Sequence, residues 1–355
     1  MKRFILATLL LLALLLPANA DDHYDIESGP VGYNITSSNT VSLAGVIEDY
    51  WRNSGYNVYL HIPSSISGYT VTSVGRNAFH SDFMTYANWW MDKLAGIELP
   101  ESITSIEYGG FSCNFSLASI NIPSNLTYIG EQAFHHCWVL DNIVLPEGLT
   151  YIGPGAFSFC YELSSINIPS TVTYIGESGF RDCAISNHLV IPESVTSIDY
   201  ATFANNIELP SVTLPSTLTY LGDYAFYNCP KLMDVYSYIT DPTSWEAWDI
   251  FMLDEGDYSG RTLHVPAGTL ALYQESEMWY PYFENIVEMG DGPVPGIPGD
   301  VDGDGKVGIS DVADLIDYLL GNADSSFVVD NADVDGDGNI GIADVADLID
   351  QLLNN

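Results

Sequence analysis

The feature that most constrains the fold is an Ile-Pro or Leu-Pro dipeptide that returns every 23 residues through the middle of the chain. A phenylalanine returns at the same interval, and an earlier dipeptide, Ile62-Pro63, is displaced by an insertion. A unit this short cannot bury its apolar face alone, so successive units must stack into a solenoid. The dipeptides occupy 99–100, 122–123, 145–146, 168–169, 191–192 and 214–215, and the phenylalanines occupy 79, 111, 134, 157, 180, 203 and 226.

The residues just before each proline alternate as in a half-buried β-strand. In one coil this pattern places Ile143 and Leu145 inside and Val144 outside. The residues predicted to face inward are Ile120, Ile122, Ile143, Leu145, Ile166, Ile168, Leu189, Ile191, Val212 and Leu214. The residues predicted to face outward are Asn121, Val144, Asn167, Val190 and Thr213. Parallel strands stacked in this way lie ~4.8 Å apart.

A full unit reads Ile168-Pro-Ser-Thr-Val-Thr-Tyr-Ile-Gly and continues through Phe180 and Cys183. This unit resembles the BspA-like leucine-rich repeats of bacterial surface antigens over residues 62–235. The resemblance implies a solenoid of short strands, with an N-terminal cap at 21–61 and a C-terminal cap at 236–290. The bulky residues expected to cover the last coil are Trp245, Trp248, Trp279, Tyr280, Tyr282 and Phe283.

Two acidic twelve-residue loops, which begin at Asp300 and Asp333, follow a Pro/Gly-rich linker at 291–299. Carboxylates at loop positions 1, 3, 5 and 12, with glycine at position 6, are typical of a calcium loop. The predicted carboxylate ligands are Asp300, Asp302, Asp304 and Asp311, and then Asp333, Asp335, Asp337 and Asp344. A helix pattern follows each loop, and the two apolar faces are expected to pack together. Those faces are Val312, Leu315, Ile316, Leu319 and Leu320, and Val345, Leu348, Ile349, Leu352 and Leu353.

Two loop–helix units after a linker resemble a type I dockerin over residues 299–353. The resemblance implies a small all-α, EF-hand-like domain at 300–355 that binds two calcium ions, with the Lys306 and Asn339 carbonyls completing the ligand sets. It also implies docking onto a cohesin-like or other scaffold or surface protein. The residues at the partner-contacting positions are Ile309, Ser310, Asp317, Ile342, Ala343 and Asp350. They differ from the Ser-Thr and basic residues of many cohesin-binding dockerins. The near-identity of the two halves allows a partner to bind in either of two orientations.

Taken together, these patterns predict an α+β chain, a mostly-strand solenoid followed by a small helical calcium domain. The formal net charge of −38 argues against nucleic acid and anionic membrane surfaces as partners. Residues 1–20 begin with Lys2 and Arg3, continue through an apolar run and end in Ala18-Asn-Ala20, which is typical of a signal peptide. The expected location is therefore extracellular or on a bacterial cell surface, with no membrane insertion.

The cysteines and histidines do not form a recognisable catalytic pattern. Cys137, Cys160, Cys183 and Cys229 occupy one repeat position, which favours buried thiols, although a disulfide between adjacent coils stays open. His135 and His136 lie at variable positions of the repeat, and His188 is expected on the outward strand face. No nucleophile elbow or phosphate-binding loop occurs in the required strand-to-helix context. The chain is predicted not to be an enzyme.

The sequence predicts that the solenoid offers a surface for binding a ligand. Tyr128, Tyr151, Tyr174 and Tyr220 recur at one position and could bind sugar rings or protein, or could stabilise the coil edge by stacking. The predicted function is a secreted, non-catalytic binding or adhesion protein with a protein or glycan ligand on its repeats. The alternative is an accessory or structural component of a polysaccharide-degrading, cellulosome-like complex. A glycoside hydrolase has the least support, since it requires a placed carboxylate pair.

Overall fold

The computed structural model describes residues 23–25, 31–46, 58–80, 94–243, 247–254, 256–289, 299–302, 307–322, 327–334 and 339–354. The predicted signal peptide and most of the predicted linker lie outside these residues. The strands are β1 (His23–Asp25), β2 (Val31–Ile35), β3 (Thr40–Val46), β4 (Val58–His61), β5 (Ser65–Ile66), β6 (Tyr69–Val74), β7 (Leu94–Glu98), β8 (Ser105–Ile106), β9 (Ser119–Ile120), β10 (Tyr128–Ile129), β11 (Tyr151–Ile152), β12 (Tyr174–Ile175), β13 (Leu189–Val190), β14 (Ser197–Ile198), β15 (Ser211–Leu214), β16 (Tyr220–Leu221), β17 (Asp234–Ser237), β18 (Thr262–Val265) and β19 (Asn285–Glu288). The helices are α1 (Leu270–Glu275), α2 (Ile309–Leu319) and α3 (Ile342–Asn354).

The strands form two columns that run along the solenoid. The first column holds the strands before the prolines, in sheets of order β1-β4-β7-β9 and β13-β15-β17-β18-β19. The second holds the strands at the Thr-Tyr-Ile segments, in sheets of order β12-β11-β10-β8-β6-β3-β2 and β14-β16. Its coils pair in parallel with the repeat register, so Tyr128 pairs with Tyr151 and Tyr151 with Tyr174. The predicted solenoid of short strands is confirmed, and the second column is an addition to it.

The core of the solenoid is a continuous stack of phenylalanine rings. Each ring lies on the ring of the next coil, from Phe79 through Phe226 and on to Phe251, with centroid separations between 5.1 and 5.6 Å. All of these rings are fully buried. Aromatic pairs of this kind add stacking energy to the area that they remove from water. Each coil is therefore tied to both of its neighbours through one side chain.

The inward and outward positions of the first column follow the predicted alternation with one exception. The inward residues from Ile143 to Leu214 are buried, and Ile120 and Ile122 are partly buried against the same core. Asn121, Val144 and Asn167 are exposed, and Val190 is half-buried. Thr213 was predicted outside and is buried, because its hydroxyl lies 2.9 Å from Nε2 of His188 on the neighbouring strand.

A column of thiols and amides donates hydrogen bonds from one coil to the next. The Cys160 thiol donates to the Phe134 carbonyl of the preceding coil, and Asn206 donates in the same way to Phe180. None of the five cysteines, all of which lie in the described part of the chain, forms a disulfide, and those of the column are buried. Burial raises the pKa of Cys160 to about 12. Thiol and amide thus serve one structural purpose in this column.

The C-terminal segment of the solenoid continues the coils before it closes them. Strands β18 and β19 extend the first column in parallel, and Trp279 is fully buried beside Phe251 at the end of the ring stack. The buried guanidinium of Arg261 donates to the carbonyls of Phe251 and Cys229. Trp248 and Tyr280 are exposed, contrary to the predicted cap, and Trp245 lies outside the described residues.

The C-terminal module has a separate small core between α2 and α3. The buried residues of the helices are Val312, Leu315, Val345 and Leu348, and Leu352 is partly buried against them. No helix in the described part of the chain is long and apolar enough to cross a membrane.

Candidate calcium centre and docking surface

The first acidic loop gathers its described carboxylates at the start of α2. Oxygen atoms of Asp300, Asp302 and Asp311 all lie within 4.8 Å of one another. Asp311 accepts a hydrogen bond from the Gly308 amide at 2.7 Å and another from the Asp302 amide at 3.1 Å. These two bonds tie the beginning of the loop to the first turn of the helix, so the loop closes around its acidic groups.

The second loop repeats this arrangement at the start of α3. Asp344 accepts hydrogen bonds from the amides of Gly341 at 2.6 Å and Val334 at 2.7 Å. Asp344 is buried, Asp333 is half-buried and Asn339 is exposed. Four of the predicted ligands fall outside the described residues: Asp304, Lys306, Asp335 and Asp337.

The burial of these aspartates indicates that the loops bind a cation. Asp300, Asp311 and Asp344 are fully buried, although a buried carboxylate is costly unless a positive charge compensates it. Residues 300–355 contain one basic residue, Lys306, against fourteen aspartates. Hard oxygen ligands that converge on one point suit calcium. The described residues therefore fit a calcium site in the first loop, with the same scaffold in the second.

Several apolar residues of the two helices point away from the module's core. Ile309 and Ile342, at equivalent positions of the two halves, are each 79% exposed. The prediction that Ile316, Leu319, Leu320 and Ile349 join the helix–helix core is wrong, since all of them are exposed. Among the described residues of the module, each helix packs against one other helix, so a narrower apolar stripe than the sequence offers is enough to fill the core.

The other predicted partner-contacting residues are also exposed where their side chains are described. Ser310, Asp317 and Ala343 are exposed, and Asp350 lies in α3. We call Ile309, Ile316, Ile342 and Ile349 the twin isoleucine surface, since the second pair repeats the first in sequence. Its exposed apolar area is of the kind that marks a protein-interaction site.

Three of the four predicted ligand-surface tyrosines form a stack on the second strand column. The rings of Tyr128 and Tyr151 are 4.8 Å apart, and those of Tyr151 and Tyr174 are 4.9 Å apart. Tyr220 lies outside this stack, because it pairs with Ser197 on the neighbouring coil. The faces of the Tyr151 ring are covered by its neighbours, so a ligand here would contact ring edges and hydroxyl groups.

Family models cover both parts of the chain. The model of the BspA-type leucine-rich repeat region matches residues 59–186 and 180–240, in six copies. The chain belongs to this leucine-rich repeat family. The model of the type I dockerin domain matches residues 298–353. No curated protein matches the chain.

Solved structures similar to this BspA-type repeat protein are also bacterial repeat proteins. A leucine-rich repeat protein of T. pallidum is 25% identical, with a TM-score of 0.51, over 62% of this chain and 95% of that one. A leucine-rich repeat protein of Bacteroides ovatus is 22% identical, with a TM-score of 0.48, over 75% of this chain and 77% of that one.

The two families define the general character of this repeat protein. Leucine-rich repeats mediate protein interactions, and type I dockerin domains bind calcium and dock onto cohesins. Both are non-catalytic binding modules, and proteins built from them are typically extracellular or surface-associated.

The histidines of the repeats are part of the packing rather than a reactive centre. His188 lies between the hydroxyls of Ser211, 2.6 Å from Nδ1, and Thr213, 2.9 Å from Nε2. Burial lowers the pKa of His188 from 6.5 to about 4. His188 is therefore neutral at pH 7 and joins β13 to β15.

This pKa predicts an acid-sensitive solenoid. The unfolded chain takes up a proton on His188 near pH 6.5, whereas the folded repeat protein does so near pH 4. The contribution of His188 is fully present above pH 6.5 and is lost as the pH falls towards 4. Urea unfolding of His188→Gln should show a weaker fall of unfolding free energy across this window than the wild type. Equal pH dependence in the wild type and in His188→Gln would contradict the assignment.

Proposed function

We propose that this repeat protein is an exported, non-catalytic binding protein. Its solenoid contacts a protein or glycan ligand, and its dockerin module docks it in a calcium-dependent manner to a scaffold or cell-surface partner. The observation that carries the proposal is the pairing of buried calcium-loop carboxylates with the exposed twin isoleucine surface on the helices that those loops begin.

Calcium and docking are linked through Asp311 and Asp344. Each of these carboxylates fixes the first turn of a helix by accepting a hydrogen bond from the amide of the loop glycine three residues earlier. Ile309 and Ile342 lie in those same turns. We propose two calcium ions, one in each loop, so that both halves of the surface form together. A loop without its ion would leave its isoleucines unpositioned.

The composition of the surface supports a partner other than the one that many cohesin-binding dockerins capture. The exposed residues are isoleucine and acidic or small polar side chains, where basic contacts would otherwise lie. An apolar centre with an acidic rim favours a partner with an apolar patch and basic surroundings. The accessory role in a polysaccharide-degrading complex rests on the same module and differs only in the partner that is captured.

A pull-down with single and double variants tests the docking proposal. Ile309→Asp or Ile342→Asp alone should weaken capture of the partner from cell-surface extracts by no more than about twofold, because the other half still binds. The double variant should lose capture, since a charge is then placed in either apolar centre. The wild type should also lose the partner in EDTA.

The matched control is Val329→Asp, which changes an equally apolar exposed residue of the module outside the twin isoleucine surface. It should capture the partner as the wild type does. Calcium-independent capture, or capture that survives the double variant, would refute docking through this surface.

A further inference from the structure

A second aromatic cluster lies on three consecutive coils, away from the tyrosine stack. Phe115, Trp138 and Tyr161 occupy one repeat position, and His136 and Phe159 occupy the position two residues earlier. We call these five residues the aromatic platform. The ring of Trp138 is 4.2 Å from that of Phe115 and 6.2 Å from that of Tyr161, tilted by 45° and 48°. His136 stacks on Phe159 at 4.5 Å.

The platform presents open ring surface to solvent. Trp138 is 39% exposed and Tyr161 is 50% exposed. Because the rings of Phe115, Trp138 and Tyr161 are tilted rather than stacked face to face, they do not cover one another's faces as the rings of the tyrosine stack do. The indole of Trp138 donates to Nδ1 of His136 at 3.2 Å, which fixes the two rings relative to each other.

The solenoid does not need aromatic residues at these positions. The equivalents of Tyr161 in the next coils are Ala184, Ile207 and Pro230. The equivalents of Phe159 are Asp182, Asn205 and Asn228, whose side chains form a hydrogen-bonded ladder with separations of 3.0 Å. The fold is therefore satisfied by non-aromatic residues at these positions, and the aromatic residues occupy one stretch of the described coils.

His136 and Phe159 hold a backbone conformation that suits asparagine better. Their φ angles are +60° and +62°, in the left-handed region, as are those of Asp182, Asn205 and Asn228. Asparagine and aspartate tolerate this region, whereas a bulky aromatic residue is strained in it. Strain of this kind is retained where it serves a function. Two adjacent coils nevertheless hold an aromatic ring at this position.

The charge of the platform favours an uncharged ligand. Burial lowers the pKa of His136. Burial is also the main cause that lowers the pKa of His135 to about 4, and the charge of the neighbouring His136 lowers it further. Both imidazoles are therefore neutral at pH 7. Arg181, which lies 6.0 Å from the Phe159 ring centroid, is paired with Asp182 at 3.0 Å. The net charge of −38 repels polyanions from the whole molecule.

We infer that the aromatic platform binds a neutral polysaccharide, with sugar rings lying on Trp138 and Tyr161. Flat aromatic faces beside fixed polar groups suit the apolar faces and hydroxyls of a pyranose. Stacked coils advance by ~4.8 Å along the solenoid, so successive rings can meet successive sugars of an extended chain. The inference rests on the proposed binding role of the solenoid and is independent of calcium docking.

Affinity electrophoresis of the full chain in gels with β-glucan, xyloglucan or mannan tests this inference, with polygalacturonate as a charged control. At least one neutral polysaccharide should retard the wild type. Trp138→Ala/Tyr161→Ala should bind that polysaccharide at least about tenfold more weakly, as for the central aromatic residues of other interfaces. Tyr280→Ala, which removes an exposed ring elsewhere, should bind as the wild type does.

Phe159→Asn separates function from folding. The substitution introduces the residue type of the later coils, so the melting temperature of the variant should equal or exceed that of the wild type while its retardation in the gel falls.

The inference is overturned if none of the three neutral polysaccharides retards the wild type, or if the platform double variant keeps its affinity. Loss of binding in Tyr128→Ala/Tyr151→Ala alone would move the ligand to the tyrosine stack. Trp138-dependent binding to a peptide array, without retardation by polysaccharide, would assign the platform to a protein. Calcium-dependent pull-down is unaffected by either of these last results.

Discussion

Removing calcium is expected to unfold residues 300–355 while the repeat solenoid keeps its strands. Asp300, Asp311 and Asp344 are fully buried, and without a cation their charges repel one another in a region of low dielectric constant. The helical core that opposes this repulsion is small, so binding of the metal is coupled to folding. At free calcium a thousandfold above Kd, each ion stabilises the module by about 4 kcal/mol.

Circular dichroism in excess EDTA measures this effect. The helical signal should fall and return when calcium is added in excess, while the β signal stays. Asp311→Asn should lower the calcium affinity of the first loop at least about tenfold, because one ligand charge is lost. Asp317→Asn, an exposed change on the same helix, should bind calcium like the wild type. A helical signal that EDTA leaves unchanged would exclude calcium-coupled folding.

The parts of the fold that the sequence predicted are those in which a side-chain pattern has only one structural solution. The 23-residue period requires stacked coils, and the alternation around residues such as Ile143 and Leu145 requires strands with one face in the core. The second strand column was missed because its strands from Ser105 onward, such as Tyr151–Ile152, contain two residues each and carry no alternation. Thr213 was misplaced because alternation describes one strand, whereas its burial comes from His188 on the next.

The candidate sites divide in the same way. The calcium loops could be read residue by residue, since ligand spacing within one loop is local. The twin isoleucine surface could not be predicted from the sequence, because Ile316 and Ile349 continue an apolar stripe. Only the packing of α2 on α3 determines which part of that stripe is buried. The aromatic platform had a sequence signal in Phe115, Trp138 and Tyr161, which are 23 residues apart. The left-handed backbone conformation of Phe159 had no sequence signal, because it depends on the turn that all coils share.

Phe157→Ala is expected to destabilise the solenoid by about 3–5 kcal/mol, the usual cost of truncating a buried phenylalanine. Phe157 is fully buried and stacks on Phe134 and Phe180, each at 5.1 Å. Because a solenoid is held together by contacts between neighbouring coils, a cavity in the middle of the ring stack weakens two interfaces at once. Phe79→Ala, at the first ring of the stack, affects one ring–ring contact and should loosen the N-terminal coils with a smaller loss of unfolding free energy.

Urea unfolding in EDTA isolates this loss, since the calcium module is then already unfolded in every variant. Val144→Ala is the matched control. Val144 lies in a neighbouring coil and is 75% exposed, so its truncation should change the unfolding free energy by less than about 0.5 kcal/mol. A loss below about 1 kcal/mol for Phe157→Ala would show that the ring stack is not what couples the coils. The coupling would then rest on the backbone pairing of the two strand columns and on the hydrogen bonds of the cysteine–asparagine column.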